Sequence, residues 1–160
     1  MLGSGAILNE TIKAQKILEE DYAVAADVWS VTSYKELYQD SVECERWNLL
    51  NPSEPQRTPY VAELLASRVG PFVAASDYVR NVPEQIRQWV PGRFVVLGTD
   101  GYGRSDAREA LRHHFEVDRR FIVLATLRAL ADEGVVPRSL LAEAISTLGI
   151  DVNKPNPLNS

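Results

Sequence analysis

Apolar positions along this chain recur with two different periods, and the two alternate from one end to the other. Ile7, Ile12, Ala14, Ile17 and Leu18 are spaced for a helix that ends near Glu20-Asp21. Ala23 to Val31 reads as a strand, with Ala26, Val28 and Trp29 available for burial. Ser33 and Glu36 have the form of a capping box, in which each side chain bonds the other residue's backbone N–H. The helix they open runs through Leu37, Tyr38, Ser41, Val42 and Cys44 towards Trp47, and Asn51-Pro52-Ser53-Glu54-Pro55 stops it in a surface loop. Tyr60 to Ala66 is a short helix and Pro71 to Ala75 a strand. Val79, Val82, Ile86 and Trp89 return to helical spacing, although a start at Asp77 would place Pro83 inside the helix and kink it.

The stretch from Phe94 to Asp106, FVVLGTDGYGRSD, is the most informative part of the chain. A short apolar strand, Phe94 to Leu97, stops at Gly98, and a tight polar turn carries glycines at 98, 101 and 103. Ser105 and Asp106 open a helical pattern that ends at His113-His114-Phe115. Asp118 can cap one further helix, with Val117 and Ile122 placed as a hydrophobic staple. Phe121 to Ala131 is apolar almost all round, which implies burial on more than one side, and Gly134 closes that helix. Pro137 suits a first helical turn, and Leu140, Leu141, Ala144, Ile145 and Leu148 form one stripe that ends at Gly149.

Such alternation is the signature of an α/β domain with a largely parallel sheet. Residues 1–152 form that domain, and the tail 153–160, with two prolines and no apolar stripe, is expected to wrap a surface or fray. Met1 to Gly5 reads as the end of a strand and the turn after it. The first strand is therefore expected to be truncated, and the chain to start inside a longer protein.

The charge balance, 17 Lys and Arg against 22 Asp and Glu, argues against a general nucleic-acid binder, which needs clustered cations for phosphate contacts. Arg104, Arg108, Arg112, Arg119 and Arg120 are the local exception, but acidic residues interleave them, as on a solvated helix face. Cys44 is the only cysteine, so no internal disulfide or zinc cluster is possible; between Glu43 and Glu45 it reads as an inert thiol in a reducing cytoplasm. No apolar run approaches the roughly 20 residues of a membrane span, and no basic-then-apolar leader stands at the N-terminus.

The Gly98 turn could hold an anion, because a strand, a glycine turn and a helix start are where open α/β sheets place ligands. Its spacing is neither a dinucleotide fingerprint nor a Walker loop, and Asp100 and Asp106 would repel a phosphate. Gly98, Asp100, Gly101, Gly103, Arg104, Ser105 and Asp106 are therefore read first as a structural or inter-domain turn, with a stand-alone phosphate- or nucleotide-binding protein as the alternative. A purely structural dimerisation module is a third possibility. Gly3-Ser4-Gly5 also precedes a helix, but Leu8 stands where a dinucleotide site needs its third glycine. His113 and His114 point about 100° apart on a helix and cannot chelate one ion together. His114 falls on the stripe of Ala107, Ala110 and Leu111 as a packed, hydrogen-bonded residue; His113 lies beside the polar face with Asp106 and Glu109. No catalytic, cofactor or metal residue is assigned.

The run from Ala74 to Asp118, AASDYVRNVPEQIRQWVPGRFVVLGTDGYGRSDAREALRHHFEVD, resembles the C-terminal domain of homodimeric bacterial pyruvate dehydrogenase decarboxylases. Supporting likeness lies in Gly3 to Leu8, Ala25 to Ser33 and Glu45 to Asn48, so it extends over nearly the whole chain. The resemblance implies a transketolase-type C-terminal domain, a three-layer α/β/α sandwich with a five-stranded, mostly parallel sheet. Full-length members are cytoplasmic homodimers that use thiamin diphosphate and magnesium to decarboxylate pyruvate and acetylate lipoyl groups, docked on a dihydrolipoyl acetyltransferase core. Their Gly-Asp-Gly metal motif lies in an N-terminal domain, and their ring-activating glutamate and catalytic histidines lie in a middle domain. Neither region is present in these residues, and Asp100-Gly101 lacks the motif's long spacing to an asparagine. The resemblance thus implies a fragment inactive alone that supports the dimer and meets the other two domains of the same enzyme.

Overall fold

A computed structural model describes all 160 residues. Four strands form one parallel sheet: β1 (Leu2–Gly3), β2 (Trp29–Ser30), β3 (Phe72–Ala75) and β4 (Phe94–Leu97), in the spatial order β2-β1-β3-β4. The resemblance implied five strands, and no fifth segment pairs with either edge. Helices α1 (Leu8–Tyr22), α2 (Tyr34–Leu50), α3 (Tyr60–Leu65), α4 (Asn81–Glu84), α5 (Arg108–His114), α6 (Arg119–Asp132) and α7 (Ser139–Thr147) surround it.

The layers follow from the two-residue period of the strands. In β3, Val73 and Ala75 turn to one face, where they join Ala14 and Leu18 of α1, Ile122, Val123 and Leu127 of α6, and Ala144 of α7. Phe72 and Ala74 turn to the other face, against Tyr34 of α2, Val61 and Leu65 of α3, and Ile86. Strand β4 divides the same way: Val95 and Leu97 face α1 and α6, and Phe94 and Val96 face α2 and α3. Parallel strands covered on both faces are apolar throughout, which is why these two runs were readable without alternation.

Two helix starts form as their sequences dictate. The Ser33 hydroxyl accepts from the Glu36 N–H at 3.2 Å, although the reciprocal bond of the capping box is not made. Asp118 accepts from the N–H groups of Arg120, at 2.9 Å, and Phe121, at 3.2 Å, and Val117 and Ile122 are both buried beside it as the staple requires. Replacing Asp118 with alanine orphans both donors, and is expected to cost about 1–2 kcal/mol. A lowered midpoint in urea with an unchanged slope would show it; an unchanged midpoint would mean the cap contributes nothing.

Other boundaries moved. The expected strand over Ala23 to Val31 pairs only at Trp29–Ser30, because β1 offers two residues and the ladder cannot outrun its neighbour. The residues before it end α1 instead: Ala23 adopts a left-handed conformation, φ 53°, and Val24 donates back to the Leu18 carbonyl. Around Pro83 the chain makes only a four-residue helix and, over Arg87–Trp89, a 3-10 turn. Pro83 lies in the first turn, where its missing N–H removes no bond. No helix is long and apolar enough to cross a membrane.

Candidate functional site

The sheet order places a switch point between β1 and β3. From β1 the chain passes through α1 to β2 on one side; from β2 it returns through α2 and α3 to β3 on the other. Loops leaving the two central strands therefore diverge at their C-terminal ends, which opens a crevice there. The Ser4 hydroxyl donates to the Ser76 hydroxyl at 2.8 Å and ties the two loops together at its base.

The turn after β4 lies against the loop after β3. Gly98 is buried, and a Cβ there would stand 2.7 Å from both the Arg80 nitrogen and the Tyr78 carbonyl oxygen. The Thr99 N–H donates to the Tyr78 carbonyl at 3.0 Å, and its hydroxyl donates to the Asp77 carbonyl at 2.7 Å. Asp100 accepts from the Arg80 N–H at 3.1 Å and pairs with the Arg80 guanidinium at 3.1 Å. Gly101 has φ of +116°, and a Cβ on it would fall 2.1 Å from the Pro157 carbonyl oxygen. The turn is thus clamped between the β3 loop and the tail, and its Thr99 amide is already committed.

The tail wraps a surface. Pro157 is buried, Asn156 caps the 3-10 turn over Pro157–Asn159, and the Lys154 ammonium donates to the His114 carbonyl at 2.7 Å and to Glu116 at 3.2 Å. Gly103, Arg104, Ser105 and Asp106 are exposed. The expected helix start at Ser105 and Asp106 is displaced to Arg108, because Asp106 accepts from its own neighbour, the Ala107 N–H, at 2.7 Å and Ala107 stays extended. An aspartate that bonds the next amide offers the backbone a turn in place of a helix.

The histidines exchange the roles expected of them. His114 packs edge-on to Phe115, with ring centroids 4.8 Å apart, but its buried Nε2 finds no partner. Burial, followed by the nearby Arg104 and Lys154 cations, lowers its pKa. His113 is the hydrogen-bonded one: Arg120 lies between it and Asp118, 2.8 Å from His113 Nδ1 and 2.6 Å from the Asp118 carboxylate.

One polar centre escaped the sequence reading. Glu10 is buried, and its carboxylate meets Arg112 at 3.3 Å, Lys13 at 3.3 Å, the Arg119 guanidinium at 3.4 Å and the Arg119 N–H at 3.2 Å. This joins α1 to the last turn of α5 and the start of α6. The available signal was a carboxylate sharing the helical stripe of Ile7, Ala14 and Leu18, where a charge is buried only with partners. Cys44 is half-buried, and burial followed by the Asp40 charge raises its pKa, which disfavours the reactive thiolate. Ser4 and Ser76 bond each other and His113 bonds charged partners, so none of these three forms a hydroxyl–imidazole pair.

A family model described as the transketolase-like TK C-terminal domain matches residues 1–118. The chain belongs to this family. Within the transketolase-like C-terminal domains, it is similar to the pyruvate dehydrogenase E1 component of Cupriavidus necator, 52% identical over 159 residues, which are 99% of this chain and 18% of that protein. The pyruvate dehydrogenase E1 component of Pseudomonas aeruginosa is 52% identical over 160 residues, with the same two coverages. That of Escherichia coli K12 is 49% identical over 158 residues, 98% of this chain and 18% of its own. The chain spans about a fifth of the length of these curated relatives, in their C-terminal portion. Among solved structures, a split gene transketolase described as an inactive beta4 tetramer matches with a TM-score of 0.55 at 19% identity, over 81% of this chain and 38% of its own. At that identity the likeness is one of fold, and it agrees with the parallel sheet and its helical layers.

Proposed function

We propose that this chain is the C-terminal domain, residues 1–152 with the tail 153–160, of a pyruvate dehydrogenase E1 component. Such an enzyme decarboxylates pyruvate and reductively acetylates lipoyl groups. The observation that carries the reading is identity of 49–52% sustained over almost the whole chain to the C-terminal portion of three E1 components. The complete enzyme works as a cytoplasmic homodimer with thiamin diphosphate and magnesium and passes its product to a dihydrolipoyl acetyltransferase core.

The residues present do not fit the magnesium-bound diphosphate. No three His, Cys, Asp or Glu side chains stand together as a cation site. Asp100, the acidic member of the Asp-Gly pair, is taken up by Arg80 through its backbone and its guanidinium. The domain's contribution is mechanical. Gly98, Asp100 and Gly101 hold the turn against the β3 loop and the tail, and Gly103, Arg104, Ser105 and Asp106 present an exposed limb to the enzyme's other domains.

Calorimetric titration of thiamin diphosphate into the 160-residue chain is expected to show no saturable heat that depends on magnesium. Exchanging it for the matching C-terminal portion of the Escherichia coli enzyme is expected to preserve pyruvate-dependent carbon dioxide release. Tight, magnesium-dependent cofactor binding by the chain alone, or a folded chimera without activity, would overturn the reading.

A further inference from the structure

The crevice above β1, β3 and β4 has a volume of about 590 Å³, within the range of small-ligand sites. Its walls are chemically unlike. Arg104, Arg108 and Arg112 are among its lining residues. Arg112 shares its charge with Glu10, but Arg104 and Arg108 form no ion pair in the folded chain. Asp77 also lines it, and its carboxylate lies against Gly5, accepting no hydrogen bond from the protein. The Thr99 hydroxyl is held by the Asp77 carbonyl, and Phe115 supplies an apolar surface.

These groups sort a ligand by its ends. Guanidinium groups present paired N–H donors that match the oxygens of a phosphate, and three of them converge here within one concavity. An ionised carboxylate only accepts, so Asp77 repels an anion and suits the hydroxyl groups of a sugar. The position is the switch point of the sheet, where divergent loops leave room for such a molecule. The backbone of the Gly98 turn plays no part, since its near side is filled by Tyr78 and Arg80. We infer that this crevice binds a small phosphorylated polyol, a sugar phosphate or a nucleoside monophosphate, with the phosphate on Arg104 and Arg108 and the sugar hydroxyls on Asp77. The inference shares Arg104 with the limb proposed to meet the enzyme's other domains, and every group it uses lies in this chain, so the isolated chain tests it apart from that contact.

The test is calorimetric titration of the 160-residue chain with adenosine monophosphate, ribose 5-phosphate, adenosine and inorganic phosphate. Both phosphorylated sugars are expected to bind with a one-to-one stoichiometry. Ribose 5-phosphate matching the nucleotide would identify a sugar phosphate; a tighter nucleotide would identify a base resting on Phe115. The R104Q/R108Q double variant is expected to weaken both by about tenfold or more, the loss of about 1.4 kcal/mol or more. D77N is expected to weaken the two sugar phosphates relative to inorganic phosphate, which the loss of a repelling carboxylate does not weaken. All four substituted side chains, the two arginines, Asp77 and a control Arg138→Gln on α7's flank, are exposed, so circular dichroism should show unaltered folding. Absence of saturable binding overturns the site, as does binding that the double variant retains. Inorganic phosphate or adenosine binding as tightly as the sugar phosphates would overturn the two-ended recognition.

Discussion

Leu127→Ala is expected to destabilise the chain by about 2–5 kcal/mol, a large part of the margin of a domain this size. Leu127 is fully buried, on the α6 face that meets β3 and α1. The cost combines the lost transfer of its methyl groups from water with the cavity left between sheet and helix. Leu49→Ala is the matched control. Leu49 is 78% exposed on α2, so its truncation should change stability by no more than about 0.5 kcal/mol. Urea unfolding of both variants checks the pair. Equal losses would mean that α6 does not pack on the sheet as described.

Gly98→Ala is expected to cost about 1–3 kcal/mol and to loosen the turn after β4. The added methyl meets the Arg80 nitrogen and the Tyr78 carbonyl oxygen, both at 2.7 Å, and both are backbone atoms that cannot rotate aside. Separating the two loops would also stretch the Thr99 to Tyr78 hydrogen bond and the Asp100 to Arg80 contact. Amide exchange at Thr99 and Arg80 should therefore accelerate beyond the global effect. Gly103→Ala is the comparison, since nothing lies within 4 Å of its Cβ position and its φ is not in the left-handed region. If both substitutions were equally mild, the close approach at Gly98 would not be structural.

Features set by neighbours in the chain were legible. Asp118 bonds amides two and three residues on, and Ser33 bonds one three residues on, so their caps needed no knowledge of the fold. The runs Phe72–Ala75 and Phe94–Leu97 were readable because a strand buried on both faces is apolar at every position. The resemblance extended that reading from elements to a family, through a collinear run that includes the Gly98 turn.

Features set by distant partners were not. The length of β2 depends on how much of β1 lies beside it, 26 residues away in the case of the bond from the Met1 amine to the Asp27 carbonyl. Glu10 and Arg119 are 109 residues apart and meet only once α1 and α6 share one face of the sheet. Gly101 requires glycine both for its φ and because the tail's Pro157 carbonyl occupies the Cβ position. The sequence determined the alternation of elements, the local caps and the family; the tertiary structure decided which loops meet, which charges are buried and where the arginine-lined crevice opens. The reason is range: capping and periodicity act within one or two turns of chain, whereas burial and ion pairing are fixed only when the sheet order brings remote segments together.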